Sequence, residues 1–314
     1  MKTVFNLKNH ENSQSSEKID FPLPKFSIAE KQSTINKKLS FSGIGLHTGK
    51  KVTMNLFPAE ENTGFLFKVK NGPNSLKTIR ADYKNVSSTR LCTTITNDKF
   101  SVSTTEHILS ALYALKIDNV IIELTENEVP VMDGSSKDFF ETINESGISS
   151  QFDFKKLINI KKTIEVSDGN KIVRVSPHNE TLVTCEINYK TNVIGNQSIS
   201  LVLNPDIYKT QISNARTFGF LEDVSKLRDM GLALGGSLEN AIVISDDKIL
   251  NKDGLRYNDE FVRHKALDLI GDIALSGHQI IGSFFSYHAG HALNNKLLHK
   301  IFSSNENWEF IDSN

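Results

Sequence analysis

The chain has 314 residues, with 36 Lys and Arg against 37 Asp and Glu, a formal net charge of −1 and a hydrophobic share of 38%. That length allows two ordinary domains with cores of their own, and the balanced charge gives no whole-chain attraction to nucleic acid or to an anionic membrane surface. No run of about 18 apolar residues occurs, which excludes a stable membrane-spanning helix. Only two cysteines are present, Cys92 and Cys185, so a secreted disulfide framework is excluded and a cytoplasmic location is expected.

Residues 1–32 are polar and interrupted by the stretch from Phe21 to Pro24. They lack the apolar core of a secretory signal, and Glu11, Glu17 and Asp20 argue against a transit peptide. They read as a flexible N-terminal extension. An N-terminal α+β domain follows over 33–152. Alternation predicts strands at 51–57 and 64–70. The stripe Ile108, Leu109, Leu112 and Leu115 predicts a helix over 105–115, with Ser103 or Thr104 as its cap. A strand at 119–124 and a helix at 138–146, ended near Gly147, complete this half.

The segment 148–158, with a loop at 149–153, reads as the boundary, and the C-terminal α+β domain occupies 153–314. A strand is expected over 158–166, then strands near 171–176, 181–189 and 198–203 and a helix at 205–213. An insert follows around 214–250. A helix at 259–276, a strand at 279–287 and a final helix at 291–302 close the chain. Each half thus pairs a sheet with helices that must cover one face, and a weak internal duplication is plausible.

Four constellations could carry chemistry. Glu106 and His107 stand in the first turn of an apolar helix, where an acid is favoured by the helix dipole alone; a carboxylate beside a metal ligand would instead suit a hydrolytic site. In the helix 259–276, His264 and Asp268 stand four apart and share a face that Asp272 extends. Such a pair can ligate a metal or simply form a salt-bridged helix surface. His291, at the start of the last helix, is either a solvent-facing residue or an acid whose pKa a partner such as Asp272 raises. The glycine-rich stretch 42–50 fails the phosphate-loop pattern, since Ile44 occupies the first glycine position, and reads as a turn carrying His47 toward a site. The apolar run from Leu221 to Leu234 is either core or the lining of an acyl groove.

Several motifs, in order from about Ile35 to Phe310, resemble those of the zinc-dependent UDP-3-O-acyl-N-acetylglucosamine deacetylases of lipid A synthesis, the LpxC family. They are Gly-Ile-Gly-Leu-His-Thr-Gly-Lys at 43–50, Thr-Glu-His at 105–107, Val-Pro-Val-Met-Asp-Gly-Ser at 129–135, Ala-Arg-Thr-Phe-Gly-Phe at 215–220, Leu-Gly-Gly-Ser at 234–237, Phe-Val-Arg-His-Lys-Ala-Leu-Asp at 261–268 and Gly-His-Ala-Leu-Asn-Asn-Lys at 290–296. The resemblance implies two similar α+β domains, each a sheet with two main helices, the helices packed between the two sheets and the active site at the domain junction. It implies one Zn2+ per chain, or Fe2+ in its place, held by His107, His264 and Asp268 with a fourth position for water. Glu106 would be the general base, Thr217 would help hold the oxyanion, and His291 backed by Asp272 would stabilise charge or protonate the leaving amine. Lys265, Phe218, Lys171 and Asp223 would meet the substrate UDP-3-O-acyl-N-acetylglucosamine, with Leu91, Cys92 and His47 completing the contacts. The 220–234 stripe matches the family's acyl passage. A departure falls at His288, where many members have a lysine near the diphosphate. No obligate protein partner is implied, and a Gram-negative type of bacterium is. Two other readings compete: an amidohydrolase for another N-acyl sugar, and a non-catalytic binding protein that has kept the fold.

Overall fold

The computed structural model describes residues 30–70, 76–97 and 100–312, so the extension expected over 1–32 lies, as far as residue 29, outside the described residues. The first half runs through β1 (Lys31–Ile35), β2 (Leu39–Ile44), β3 (Lys51–Pro58), β4 (Phe65–Lys70), β5 (Leu76–Arg80), β6 (Val86–Ser88), β7 (Thr94–Asn97) and β8 (Phe100–Val102), then α1 (Glu106–Ala114), β9 (Val120–Leu124), α2 (Lys137–Ser146) and β10 (Ile148–Phe154). The second runs through β11 (Lys156–Ile160), β12 (Ile164–Asp168), β13 (Lys171–Ser176), β14 (Thr181–Asn188), β15 (Asn196–Val202) and α3 (Pro205–Gln211). It continues with β16 (Phe218–Phe220), α4 (Leu221–Asp229), β17 (Ile242–Ser245), β18 (Lys248–Ile249), α5 (Glu260–Ile273), β19 (Ile280–Tyr287), α6 (His291–Ile301) and β20 (Trp308–Asp312).

The fold is α+β, as expected, and its two halves share a topology. In the first, β9 is the central strand, antiparallel to β3 and parallel to β4, with β2 and β5 at the edges. In the second, β19 is central, antiparallel to β13 and parallel to β14. One helix enters each central strand (α1, α5) and one leaves it (α2, α6). The half-buried strands have the alternation the sequence shows: β3 buries Val52, Met54 and Leu56 and turns Thr53 and Asn55 outward.

The helices are covered on more than one side. Every residue of α1 is buried, and α5 leaves only Arg263 and Lys265 less than buried. A helix apolar nearly all round needs neighbours all round: α1 packs on α2 and α5, and α5 on α6 and β14. Gly271 permits the closest approach, since a Cβ there would collide with the Glu106 carbonyl. The helix-to-helix seam between the halves is therefore also where the polar residues of α1 and α5 meet.

Three expectations need correction. The segment 149–153 is not a loop but the middle of β10, antiparallel to β1. Its residues are half-buried or exposed, so no apolar pattern marks it; side-chain hydrogen bonds help to tie it down, with Asn119 Nδ2 donating to Gln151 and Gln32. The strand expected over 158–166 is two strands, β11 and β12, broken at 161–163, with β11 pairing mainly with β20, which the sequence reading did not foresee. Neither Ser103 nor Thr104 caps α1. The cap position is Thr105, without a side-chain cap bond, while Thr104 has φ of 57° and donates its hydroxyl to Glu128.

The insert is tied to the start of α5 by a buried ion pair. Arg216 Nε and Nη2 donate to the two oxygens of Glu260 at 2.9 and 3.1 Å, and the Arg216 and Arg256 backbone N–H groups donate to the same carboxylate. Removing one partner strands the other charge in the interior. The variant Glu260→Ala is expected to lose about 3–5 kcal/mol of stability, read as a lower denaturant midpoint. Among the described residues no helix is long and apolar enough to cross a membrane.

Candidate active site

The first turn of α1 and the middle of α5 meet at the seam, and there the sequence-predicted metal ligands come together. The donor atoms of His107, His264 and Asp268 all lie within 4.8 Å of one another, and all three side chains are buried. The two imidazoles meet edge to face at a centroid distance of 5.1 Å. His264 Nδ1 lies 3.1 Å from the Ala215 carbonyl oxygen, which can only accept, so Nδ1 carries the proton. Burial holds the pKa of His264 below its usual value. The ring is then neutral, and its bare Nε2 faces Asp268 Oδ1 at 3.4 Å, lone pair toward lone pair. His107 is pushed down to about 3, chiefly by burial, and its Nδ1 is buried without a hydrogen-bond partner. Burial opposes the charge on Asp268, but the Lys265 ammonium at 2.7 Å holds its carboxyl well below the usual range. Two neutral imidazoles and an anionic carboxylate facing one point form a donor set that fits a divalent cation of the zinc type.

Beside this set stands Glu106, 3% exposed, its pKa raised to about 7 chiefly by burial and partly restrained by His291. One of its oxygens, Oε2, accepts the Thr93 N–H at 3.0 Å; the other, Oε1, lies 3.8 Å from His291 Nε2. A carboxylate near 7 can both take and return a proton at neutral pH. His291 opens α6, and its Nδ1 donates to Asp272 Oδ2 at 2.8 Å. Burial alone would strip its second proton, but the Asp272 carboxylate overrides it and the pKa is pushed up to about 10. Asp272 is further held by Asn294 Nδ2 at 2.8 Å and by the Thr93 hydroxyl.

A cavity of about 550 Å³ opens from these groups. Its lining includes Glu106, His107, His264, Asp268 and His291 together with apolar side chains of the insert, among them Leu221, Val224, Leu227 and Val243. The run from Leu221 to Leu234 is therefore not core: α4 buries no residue. Thr217 lines the cavity, its backbone fixed by N–H donation to Gly134 and by acceptance from Ile242 N. Lys265, Phe218, Asp223, Leu91 and His47 also line it, with the Lys265 ammonium 5.7 Å from the Phe218 ring centroid. His47 is placed by its turn, whose N–H groups at 47 and 48 donate to the fully buried Glu128.

Two predicted contacts lie elsewhere. Lys171 is exposed at the start of β13, beside the sheet end that carries His288, and does not line the cavity. Cys92 is buried behind Leu91, its thiol pushed up to about 12 mainly by burial. His288, the departure noted above, accepts the Asn188 N–H at Nε2, 2.6 Å away. Residues that sequence reading missed are Thr93, Arg216, Glu260, Glu128 and Asn294. Arg216 and Asn294 stood within the motifs quoted at 215–220 and 290–296, and Asn294 also stands three positions after His291 on the same helix.

Residues 32–303 match the model of a protein family described as LpxC, UDP-3-O-acyl N-acetylglycosamine deacetylase. Over 281 residues the chain is 47% identical to the UDP-3-O-acyl-N-acetylglucosamine deacetylase of Campylobacter hominis, an alignment covering 90% of this chain and 95% of the relative.

Proposed function

Since the chain belongs to the LpxC family, we propose that it hydrolyses the N-acetyl group of UDP-3-O-acyl-N-acetylglucosamine, giving UDP-3-O-acyl-glucosamine and acetate for lipid A biosynthesis. The observation that carries this reading is one cavity joining a His–His–Asp donor set and two proton-transfer groups to an apolar passage. In it His107, His264 and Asp268 hold one Zn2+, for which Fe2+ is a chemical substitute. When bound, the ion supplies a Lewis acid that polarises a carbonyl and lowers the pKa of water toward about 7.

The chain's own residues do the rest. Glu106 takes the proton of the attacking water on Oε1, the oxygen that Thr93 leaves free. The C–O bond forms as the carbonyl electrons move onto oxygen, and the Thr217 hydroxyl donates to that oxyanion. The C–N bond then breaks, and the proton that the amine needs comes from His291 Nε2 or back from Glu106. Asp272 keeps His291 oriented and protonated for that role. Lys265, Phe218 and Asp223 face the sugar and UDP, and the α4 side of the cavity takes the 3-O-acyl chain. The reaction takes place in the cytoplasm, on a substrate whose acyl chain the protein itself shields from water.

Incubation with UDP-3-O-acyl-N-acetylglucosamine should yield a product lighter by one acetyl group, with acetate released, in a mass spectrum. Unchanged substrate from metal-loaded protein would sink the reading. Removing the 3-O-acyl chain should cause a large rate loss; an equal rate would point to another N-acyl sugar as substrate.

The Asp272–His291 pair adds a pH prediction. Asp272→Asn removes the anion while leaving the ring buried, so the His291 pKa falls from its value of about 10. His291 acts as the protonated form, so the alkaline limb of kcat/KM moves to lower pH and the loss is greatest at high pH. An unshifted alkaline limb would remove His291 from the mechanism.

A further inference from the structure

Thr93 lies between β6 and β7, directly after Cys92, and is 2% exposed. Each of its polar groups is engaged at the active site. Its N–H donates to Glu106 Oε2 at 3.0 Å, its hydroxyl donates to Asp272 Oδ1 at 2.6 Å, and its carbonyl accepts from the backbone N–H and the hydroxyl of Thr105 at 3.3 and 3.2 Å. The carbonyl bonds tie Thr93 to the residue that opens α1, one position before Glu106.

Three consequences follow from this geometry. The N–H occupies one oxygen of Glu106 and leaves Oε1 to face His291. The hydroxyl occupies the Asp272 oxygen that His291 and Asn294 do not use, so the carboxylate cannot turn about its bond to Cβ without losing a short, charge-assisted hydrogen bond. The Thr93 and Asp272 positions are 179 residues apart, one in each half of the chain, so this hydroxyl spans the junction at the point where both proton-transfer groups are set.

We propose that Thr93 is a positioning residue of the deacetylation, one that holds the base Glu106 and the Asp272–His291 pair in fixed relation across the junction of the two halves. The inference rests on the deacetylase reading above. Thr93 itself touches no substrate; it acts through Glu106 and Asp272. A displacement near 1 Å of a catalytic group is enough to cost about 10²-fold in rate, while substrate affinity depends on other residues.

The test compares Thr93→Val, which keeps the shape and deletes the hydroxyl, with Thr93→Ser, which keeps the hydroxyl and deletes the methyl. Positioning predicts a fall in kcat of about 10–100-fold for valine with KM nearly unchanged, and recovery of most of that loss in serine. A packing role predicts the reverse, valine harmless and serine damaging. Metal content should match wild type in both. In an Asp272→Asn background the valine substitution should cost much less than in wild type, because the hydroxyl's partner has already been altered. If the valine protein does not accumulate folded, Thr93→Ala against Thr93→Ser isolates the same hydroxyl, both lacking the methyl. A valine variant with wild-type kcat, a serine variant as impaired as valine, or full additivity with Asp272→Asn overturns the proposal. Wild-type protein that releases no acetate refutes the deacetylase reading instead, so the two failures are separable.

Discussion

Glu106→Ala is expected to lower kcat by about 10²–10⁴-fold while the protein keeps its fold and its metal, since that is the usual contribution of a positioned general base. The residue is suited to this by its surroundings more than by its identity. Burial raises its pKa to about 7, and only one of its oxygens is tied to the backbone. It stands next to His107 in sequence yet is not part of the donor set, so its loss leaves three ligands in place. Glu106→Gln sharpens the result, because the amide keeps the shape and one acceptor oxygen but cannot take a proton at neutral pH. Both variants should bind substrate with nearly wild-type affinity, as the carboxylate matters to the transition state far more than to the ground state. Full activity in either, with metal still bound, would remove Glu106 from the role of base. The competing account, an acid kept only for the helix dipole, predicts a stability change of about 0.3–1 kcal/mol and no effect on turnover.

How much of this was legible beforehand follows from the range of the interactions involved. His264, Asp268 and Asp272 could be grouped because helical spacing puts them on one face, a local rule that needs no tertiary knowledge. Glu106 and His107 stood out as polar residues at the head of an apolar stripe. That the two groups belong to one site was supplied by the motif resemblance; spacing says nothing across more than 150 residues. The partnerships of Thr93 and of Arg216 with Glu260 were invisible for the same reason, since the partners lie 179 and 44 positions away. In the fold, apolar alternation marked β3 and β4, whereas β10 hides because none of its residues is fully buried. Lys171, which the resemblance places near the substrate, stands exposed at a sheet end outside the cavity, where no local pattern in the sequence marks it.

Loss of a donor from the His–His–Asp set should have the largest effect of all. Asp268→Ala and His264→Ala are expected to purify with little bound metal and to lose about 10³-fold or more in kcat/KM, since Lewis-acid stabilisation is worth several kcal/mol and each 1.4 kcal/mol is a factor of ten. Activity alone would not separate this from the alternative that His264 and Asp268 merely form a salt bridge on a helix face. Metal content and thermal stability do. An ion that binds only the folded state raises the melting temperature, so a chelator should lower the Tm of wild type and leave that of Asp268→Ala unmoved. A structural salt bridge predicts the opposite pattern, with metal content unchanged by substitution and no response to chelator in either protein. The geometry already disfavours that alternative: with its proton on Nδ1, committed to the Ala215 carbonyl, His264 has none on Nε2 to offer Asp268. A cation between these two atoms would relieve the facing of two lone pairs 3.4 Å apart, and the third donor, His107, comes from the other half of the chain. Metal binding should therefore also tighten the junction itself, so chelation should increase hydrogen exchange along α1 and α5 together and not along either helix alone.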